Sequence, residues 1–252
     1  MRTNATLIGK RILFVGAHPD DVEIGCGGTA AKFSSRGNKI AFAVATLPTG
    51  EKQAKKRKFE ATKAAALLQL SESNGTLFFG GLPDGGLSQK DKELRDWMKD
   101  ISKRFNPDTV FVHRNDDHTD HQAVYKVAIG VFQSKNVFLY YIPRPFPETP
   151  FNPNFAEDIS NVITKKVEMC KCHKSQPLDY IGEDSIRTGG HYNYLRSFAR
   201  VHSRRNGYSE LFTIHALRSV FGGITQSGSE VPAVDYGLRL VRKTDGSLEW
   251  RD

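Results

Sequence analysis

Short apolar runs alternate with longer helical patterns through the first 142 residues of the chain. Strands are predicted at 11–16, 39–46, 76–79, 109–113 and 136–141, and helices at about 27–36, 53–70, 89–105 and 121–134. Apolar strands separated by helices are typical of a parallel sheet that is covered on both faces. The pattern therefore predicts an α/β fold, a Rossmann-like sandwich with a mostly parallel sheet and helices on both faces.

The pattern changes after residue 142, where five prolines fall within 143–153. Prolines at this density exclude long regular structure. Helical patterns near 158–173 and 191–203 follow, then an apolar stretch at 208–217, and we expect the last 25 residues to form a loosely structured edge. We expect one domain over 1–252, with a Rossmann-like core at about 10–142 and a C-terminal extension at 143–252.

Composition narrows the class of protein. The chain has 252 residues and a formal net charge of +8, and no apolar run approaches the roughly 20 residues of a membrane-spanning helix. The N-terminus lacks the hydrophobic region of a signal peptide, and three cysteines provide no disulfide framework. We therefore expect a cytoplasmic protein that does not bind a membrane. The sequence leaves open whether the chain forms a homo-oligomer.

Two charged clusters follow predicted strands directly. The segment "GAHPDDVEIG" at 16–25 follows the first strand, and "VHRNDDHTDHQAV" at 112–124 includes the end of the fourth. Adjacent carboxylates repel one another unless a positive group lies among them. A doubly wound sheet with strand order 3-2-1-4-5 places strands 1 and 4 side by side at its ligand-binding crevice. The two clusters are therefore expected to face each other there.

The residue types in these clusters indicate a metal site. His18 and Asp21 are separated by two residues and His121 is remote, a short and a long spacer that suit a three-ligand catalytic zinc site. Zn²⁺, or another divalent ion such as Fe²⁺, lowers the pKa of a bound water to about 7. Asp20 is then placed to act as general base and His118 to polarise a carbonyl. Asp120 is expected to orient one of the imidazoles.

The sequence also resembles a known family. "AHPDD" at 17–21 and "HTDH" at 118–121 resemble the two signature motifs of the PIG-L/LmbE-type metal-dependent N-deacetylases. Further matches cover much of residues 10–212: "TGE" at 49–51, "RKFEATKAA" at 57–65, "LPDGGL" at 82–87, "DIS" at 158–160, "HKSQ" at 173–176 and "YSELF" at 208–212. One departure is Glu23, which lies two residues after Asp21 where many members have glutamate directly after the second aspartate.

The resemblance implies a zinc-dependent hydrolase that removes the acetyl group from an N-acetylglucosamine-type conjugate. By motif, the implied metal ligands are His18, Asp21 and His121, the implied base is Asp20, and His118 stabilises the oxyanion. Weaker candidates for the sugar pocket, for which surface or packing roles are equally open, are Arg57, Asp84, His173 and Glu210.

Two other functions compete with this interpretation. "GCGGTA" at 25–30 fits the G-x-G-x-x-A pattern of a dinucleotide-binding oxidoreductase, although its glycines come late after the first strand. The net positive charge would suit a nucleic-acid-binding module, which leaves both histidine/aspartate clusters unexplained. We therefore expect a small-molecule partner and no nucleic acid.

The basic stretch after "TGE" contains Lys52, Lys55, Lys56 and Arg57. Cations near a helix N-terminus oppose the helix dipole unless an anion compensates them. One hypothesis is that these residues attract a substrate with a phosphate or carboxylate on its aglycone. The alternative is that they form a solvated helix face.

Overall fold

The computed structural model describes residues 9–142, 153–176 and 208–217, together with the strand backbones at 239–242 and 248–251. The first part contains β1 (Arg11–Gly16), α1 (Asp21–Ser35), β2 (Lys39–Leu47), α2 (Glu51–Ala66), β3 (Leu77–Pro83), α3 (Asp91–Phe105), β4 (Thr109–His113), α4 (Thr119–Val131) and β5 (Asn136–Tyr140). The rest contains β6 (Phe155–Asp158), α5 (Ile163–Cys170), β7 (Ser209–Ala216), β8 (Arg239–Arg242) and β9 (Leu248–Arg251).

Seven strands form one sheet in the order β3-β2-β1-β4-β5-β7-β6. The first five are parallel, and β7 and β6 extend the sheet in antiparallel pairings. This arrangement confirms the predicted α/β class and the order 3-2-1-4-5. The C-terminal extension therefore contributes two strands to the sheet of the core.

Alternate residues of the central strands supply two separate cores. In β1, Ile12 and Phe14 pack with residues of α1 and α2, whereas Leu13 and Val15 pack with residues of α3 and α4. Side chains of a strand point alternately to opposite faces, so a strand that is apolar throughout needs cover on both sides. The helices on the two faces of the sheet provide that cover.

Helix α1 is kinked at Cys26, whose φ of −149° and ψ of 20° are not helical. A Cβ atom at Gly25 would lie 2.3 Å from the ring of Tyr140, and one at Gly28 would lie 2.6 Å from Ile159. These glycines are buried inside a helix and allow close packing against the sheet and the segment after β6. The dinucleotide-binding interpretation of "GCGGTA" is therefore wrong, because buried glycines packed on side chains present no turn to a pyrophosphate.

Several predicted boundaries also differ from the structure. Helix α1 begins at Asp21 rather than near 27, because packing of its glycine-rich turn compensates for the low helix propensity of glycine. The predicted helix at 158–173 is preceded by β6, whose alternating burial gives period two, and α5 begins only at Ile163. The expected loose C-terminal edge contains an antiparallel pair, β8 and β9. The predicted helix at 191–203 lies outside the described residues.

Over the described ranges, no helix combines the length and the apolar composition that crossing a membrane requires. All three cysteines are free, and Cys26 and Cys170 are buried.

Gly28→Ala is expected to lower the free energy of unfolding by about 1–3 kcal/mol, because the added methyl group overpacks the contact with Ile159. Urea denaturation measures this change. Gly130→Ala in α4 is the matched control, since its nearest neighbour is the flexible end of Arg95 at 3.3 Å. A gain of up to about 1 kcal/mol is expected there, and equal losses in both variants would contradict the packing argument.

Candidate functional site

The loops that follow β1 and β4 meet at the carboxyl edge of the sheet because these two strands pair directly. His18 Nε2 lies 3.1 Å from Asp120 Oδ2, and His121 Nε2 lies 3.6 Å from Asp21 Oδ1. The structure therefore brings together the two charged clusters, as their positions after strands 1 and 4 predicted.

Three side chains converge with the chemistry of a metal site. One ligand atom each from His18, Asp21 and His121 lies within 4.8 Å of the other two. His18 Nδ1 is 3.3 Å from Asp21 Oδ2. Two imidazole nitrogens and one carboxylate oxygen form a donor set that suits Zn²⁺ and also Fe²⁺.

The electrostatics of this cluster favour a cation. Burial opposes protonation of His121, but Asp21 and Asp116 outweigh it and raise its pKa to about 9. Burial of Asp21 is likewise outweighed by His113, His121 and His18, so the pKa of this carboxyl is held well below its usual range. A divalent ion bound here would take the place of the protons on the imidazoles, because coordination requires neutral rings.

Asp20 occupies a strained position beside the ligand set. It precedes α1 with a φ of 122°, a region that residues other than glycine rarely adopt. Burial and the neighbouring Asp21 raise the pKa of its carboxyl to about 7, although Arg57 and His173 oppose the shift. Asp20 Oδ1 lies 3.3 Å from Arg57 Nη2, and Arg57 also donates to the carbonyl of Pro19. Arg57, predicted to bind sugar, thus contacts the loop that carries the ligands.

His118 has a defined tautomer when it is neutral. It caps α4, and its Nδ1 accepts a hydrogen bond from the backbone N–H of Asp120 at 3.2 Å. The proton of the neutral ring therefore lies on Nε2, which becomes a hydrogen-bond donor. The rings of His118 and His121 are stacked with centroids 4.6 Å apart. His118 therefore lies next to the proposed ligands, as the strand order predicted.

Asp120 ties the loop after β3 to the start of α4. Its fully buried carboxylate accepts hydrogen bonds from the backbone N–H groups of Gly85 at 2.7 Å and Leu87 at 3.1 Å. This loop carries Asp84, whose Oδ1 lies 3.2 Å from His18 Nε2 and whose side chain is 41% exposed. Asp84 therefore lies beside His18 with an exposed side chain, and its contact with a sugar stays a prediction.

Sequence analysis missed His113 and Asp116. Asp116 Oδ2 lies 2.8 Å from His121 Nδ1 and thereby leaves Nε2 of His121 directed at Asp21. His113 ends β4 fully buried, its Nε2 accepts the backbone N–H of Ala17, and burial lowers its pKa to about 4. The same Nε2 lies 3.0 Å from Asp21 Oδ2. Both residues lie within "VHRNDDH", and that charged segment was the available signal.

His173 and Glu210 are both buried, which favours the packing role that the sequence left open for them. His173 is buried, with Nε2 3.3 Å from Glu23 Oε1. Glu23, the residue that departs from the first motif, therefore pairs with the "HKSQ" segment. Glu210 is 1% exposed and forms an ion pair with Lys166. It has a structural contact with α1 and, in this arrangement, no surface to offer a sugar.

The basic residues of α2 are partly neutralised. Lys55 pairs with Glu51 at 2.5 Å and Lys58 with Glu72 at 3.0 Å, while Lys52 and Lys56 are exposed. This pairing favours the solvated helix face over a broad nucleic-acid surface. It leaves positive charge on α2, the helix whose Arg57 contacts Asp20.

Known proteins are similar to this chain in sequence and in fold. The model of the PIG-L family, described as GlcNAc-PI de-N-acetylase, matches residues 13–132. A protein of Escherichia coli strain K12, described as uncharacterized deacetylase YaiS, is 29% identical over 174 residues, which cover 66% of this chain and 91% of that protein.

Two solved structures show the same fold. The N,N'-diacetylchitobiose deacetylase of Pyrococcus horikoshii, solved with its inhibitor MPG, superposes with a TM-score of 0.65 at 24% identity, covering 88% of this chain and 89% of that one. The conserved protein TT1542 of Thermus thermophilus gives 0.65 at 24% identity, covering 86% and 98%.

Asp116→Asn is expected to weaken Zn²⁺ binding about 10- to 100-fold, because partners that orient a histidine ligand have effects of this size. Competition with a chromogenic chelator measures the dissociation constant. Asp117→Asn is the matched control, because Asp117 is the next residue in the chain and its carboxylate is exposed. Unchanged affinity in Asp116→Asn would remove Asp116 from the support of His121.

Proposed function

We propose that the chain is a PIG-L-type, zinc-dependent hydrolase of an N-acetylglucosamine-type conjugate, because the model of that family matches residues 13–132. The observation that carries the proposal is the convergence of His18, Asp21 and His121, whose ligand atoms all lie within 4.8 Å of one another. The family description and the deacetylase relatives support the amide bond as the target and an amino sugar as the substrate class.

His18, Asp21 and His121 would hold the metal ion. When bound, a divalent ion polarises an acyl carbonyl and makes water a nucleophile near neutral pH. Side chains of the protein would supply the other groups that the reaction needs. Amide hydrolysis needs a base for the attacking water, an acid for the leaving amine and a donor for the developing oxyanion.

Asp20 is the proposed base. It adjoins Asp21 in sequence, its backbone is fixed by the turn that begins α1, and Arg57 holds one of its carboxylate oxygens. The carboxylate takes a proton from the attacking water and then delivers it to the nitrogen of the leaving amine. His118 Nε2–H is the proposed donor to the oxygen of the tetrahedral intermediate, and its orientation follows from the bond to Asp120 N–H.

The first test is a screen for free amine released from N-acetylglucosamine conjugates, with metal analysis of the purified protein. Deacetylation that a chelator abolishes and Zn²⁺ or Fe²⁺ restores is the expected result. Absence of amine release across the conjugates, with metal bound, would overturn the proposed reaction.

Asp20→Asn and His121→Ala are expected to fail in different ways. His121→Ala leaves two of the three ligands, so both bound zinc and activity should be lost. Asp20→Asn retains the three ligands, so zinc should stay bound while kcat falls about 10²–10⁴-fold. Metal analysis and steady-state kinetics separate the two cases. A near-wild-type kcat in Asp20→Asn would mean that another residue is the base, and Glu23 would be the next candidate.

Neutralising Lys52 and Lys55 to glutamine tests the anionic aglycone. The double variant should raise KM for a phosphate- or carboxylate-bearing conjugate and leave KM for neutral N-acetylglucosamine nearly unchanged. Raising salt from about 0.05 to 0.5 M should have the same effect, since screening shortens the range of surface charges.

Lys99→Gln with Lys103→Gln is the control, because it removes equal charge from exposed positions of α3 on the other face of the sheet. Equal changes in KM for charged and neutral substrates would return the α2 lysines to a solvated helix face.

A further inference from the structure

The kink in α1 divides the helix into two segments, so main-chain polar groups beside it need partners other than those a continuous helix would supply. The first segment, 21–25, carries Asp21 and Glu23, and the second begins after Cys26. Helix ends leave N–H and C=O groups without partners in the helix, and such groups are costly when they are buried.

One buried ion pair satisfies groups on both sides of this kink. Glu210 of β7 accepts the N–H of Gly28 at 2.9 Å through Oε1 and the N–H of Thr29 at 2.7 Å through Oε2. Lys166 of α5 donates to the carbonyl of Ile24 at 2.6 Å and to Glu210 Oε1. Glu210 therefore caps the start of the second segment, and Lys166 caps the end of the first.

The burial of this pair makes its hydrogen bonds important. The side chains of Lys166 and Glu210 are 2% and 0% exposed. Buried ion pairs add little net stability on average, whereas removing one partner leaves a costly unpaired charge. A pair that also caps a broken helix contributes in another way, because it fixes where the two helix segments lie.

We propose that Lys166 and Glu210 are positioning residues that fix the first segment of α1, and with it the turn that carries Asp20 and Asp21. The proposal rests on the proposed function in that this turn is the proposed catalytic one. Glu210, which the family motif implied as a sugar contact, acts in this proposal through the backbone of α1.

Two variants separate positioning from stability. Glu210→Gln keeps the shape of the side chain, but it removes one acceptor and leaves the Lys166 charge unpaired. Adding Lys166→Met removes that charge, so the double variant should recover part of the lost stability. It also removes the donor to the Ile24 carbonyl, so the position of the first segment should remain perturbed.

The expected results are measured as zinc dissociation constants by chelator competition, together with kcat, KM and urea unfolding. Both variants should bind zinc at least about tenfold more weakly and lose at least about tenfold in kcat, with KM changed less than threefold. If zinc affinity and kcat recover in step with stability in the double variant, or never change, the pair is only structural and the proposal is overturned.

The control pair is Lys32 and Glu157, which joins the second segment of α1 to β6 at 2.5 Å. Lys32→Met with Glu157→Gln is expected to alter stability without altering zinc affinity or kcat. Loss of zinc affinity equal to that of the Lys166/Glu210 double variant would show that any loosening of α1 has this effect, which would also overturn the proposal.

Amide hydrogen exchange keeps this test separate from the proposed function. Peptides covering 17–25 should exchange faster in both Lys166/Glu210 variants than in the wild-type protein, and the Lys32/Glu157 variant should leave them unchanged. A wild-type protein that binds no zinc would refute the proposed function, and unchanged exchange in these peptides would refute the positioning role.

Discussion

The structure depends on one pairing, the parallel contact between β1 and β4. Leu13 of β1 lies opposite Val110 of β4, so the loops that leave the two strands emerge side by side. Parallel strands end at the same edge of a sheet, and crossover helices leave that edge open for side chains from separate parts of the sequence. Asp21 and His121, a hundred residues apart, come within 3.6 Å of each other for this reason.

Once these loops meet, electrostatics limits what the cluster can do. Four imidazoles surround Asp21 and Asp116 in a region with little access to water: His18, His113, His118 and His121. A buried carboxylate needs a positive partner. In this cluster the positive partner is either a protonated imidazole or a bound metal ion. The same demand explains why Arg57 reaches from α2 to the carboxylate of Asp20.

The sequence was sufficient for the parts of this arrangement that follow from local patterns and strand order. Apolar runs predicted the five parallel strands, and the order of those strands predicted that His18 and His121 would meet. The same strand order predicted that His118 and Asp120 would lie beside them. Such predictions succeed because strands that are apolar throughout need cover on both faces, and right-handed crossovers then leave few topologies open.

The sequence was insufficient where a role depends on which buried group lies opposite. Nothing local separates Asp116, which orients His121, from the exposed Asp117 beside it. Likewise, "GCGG" is the same string in a phosphate-binding turn and in a helix packed on Tyr140 and Ile159, and only the tertiary contact distinguishes them. Glu210 is a further residue whose role the sequence alone did not determine. Its motif associates it with the site, and the structure associates it with the backbone of α1 through Gly28 and Thr29. A charged residue in a family motif can therefore serve the chemistry by holding the chain that carries it, and only its burial and partners distinguish that role from contact with a substrate.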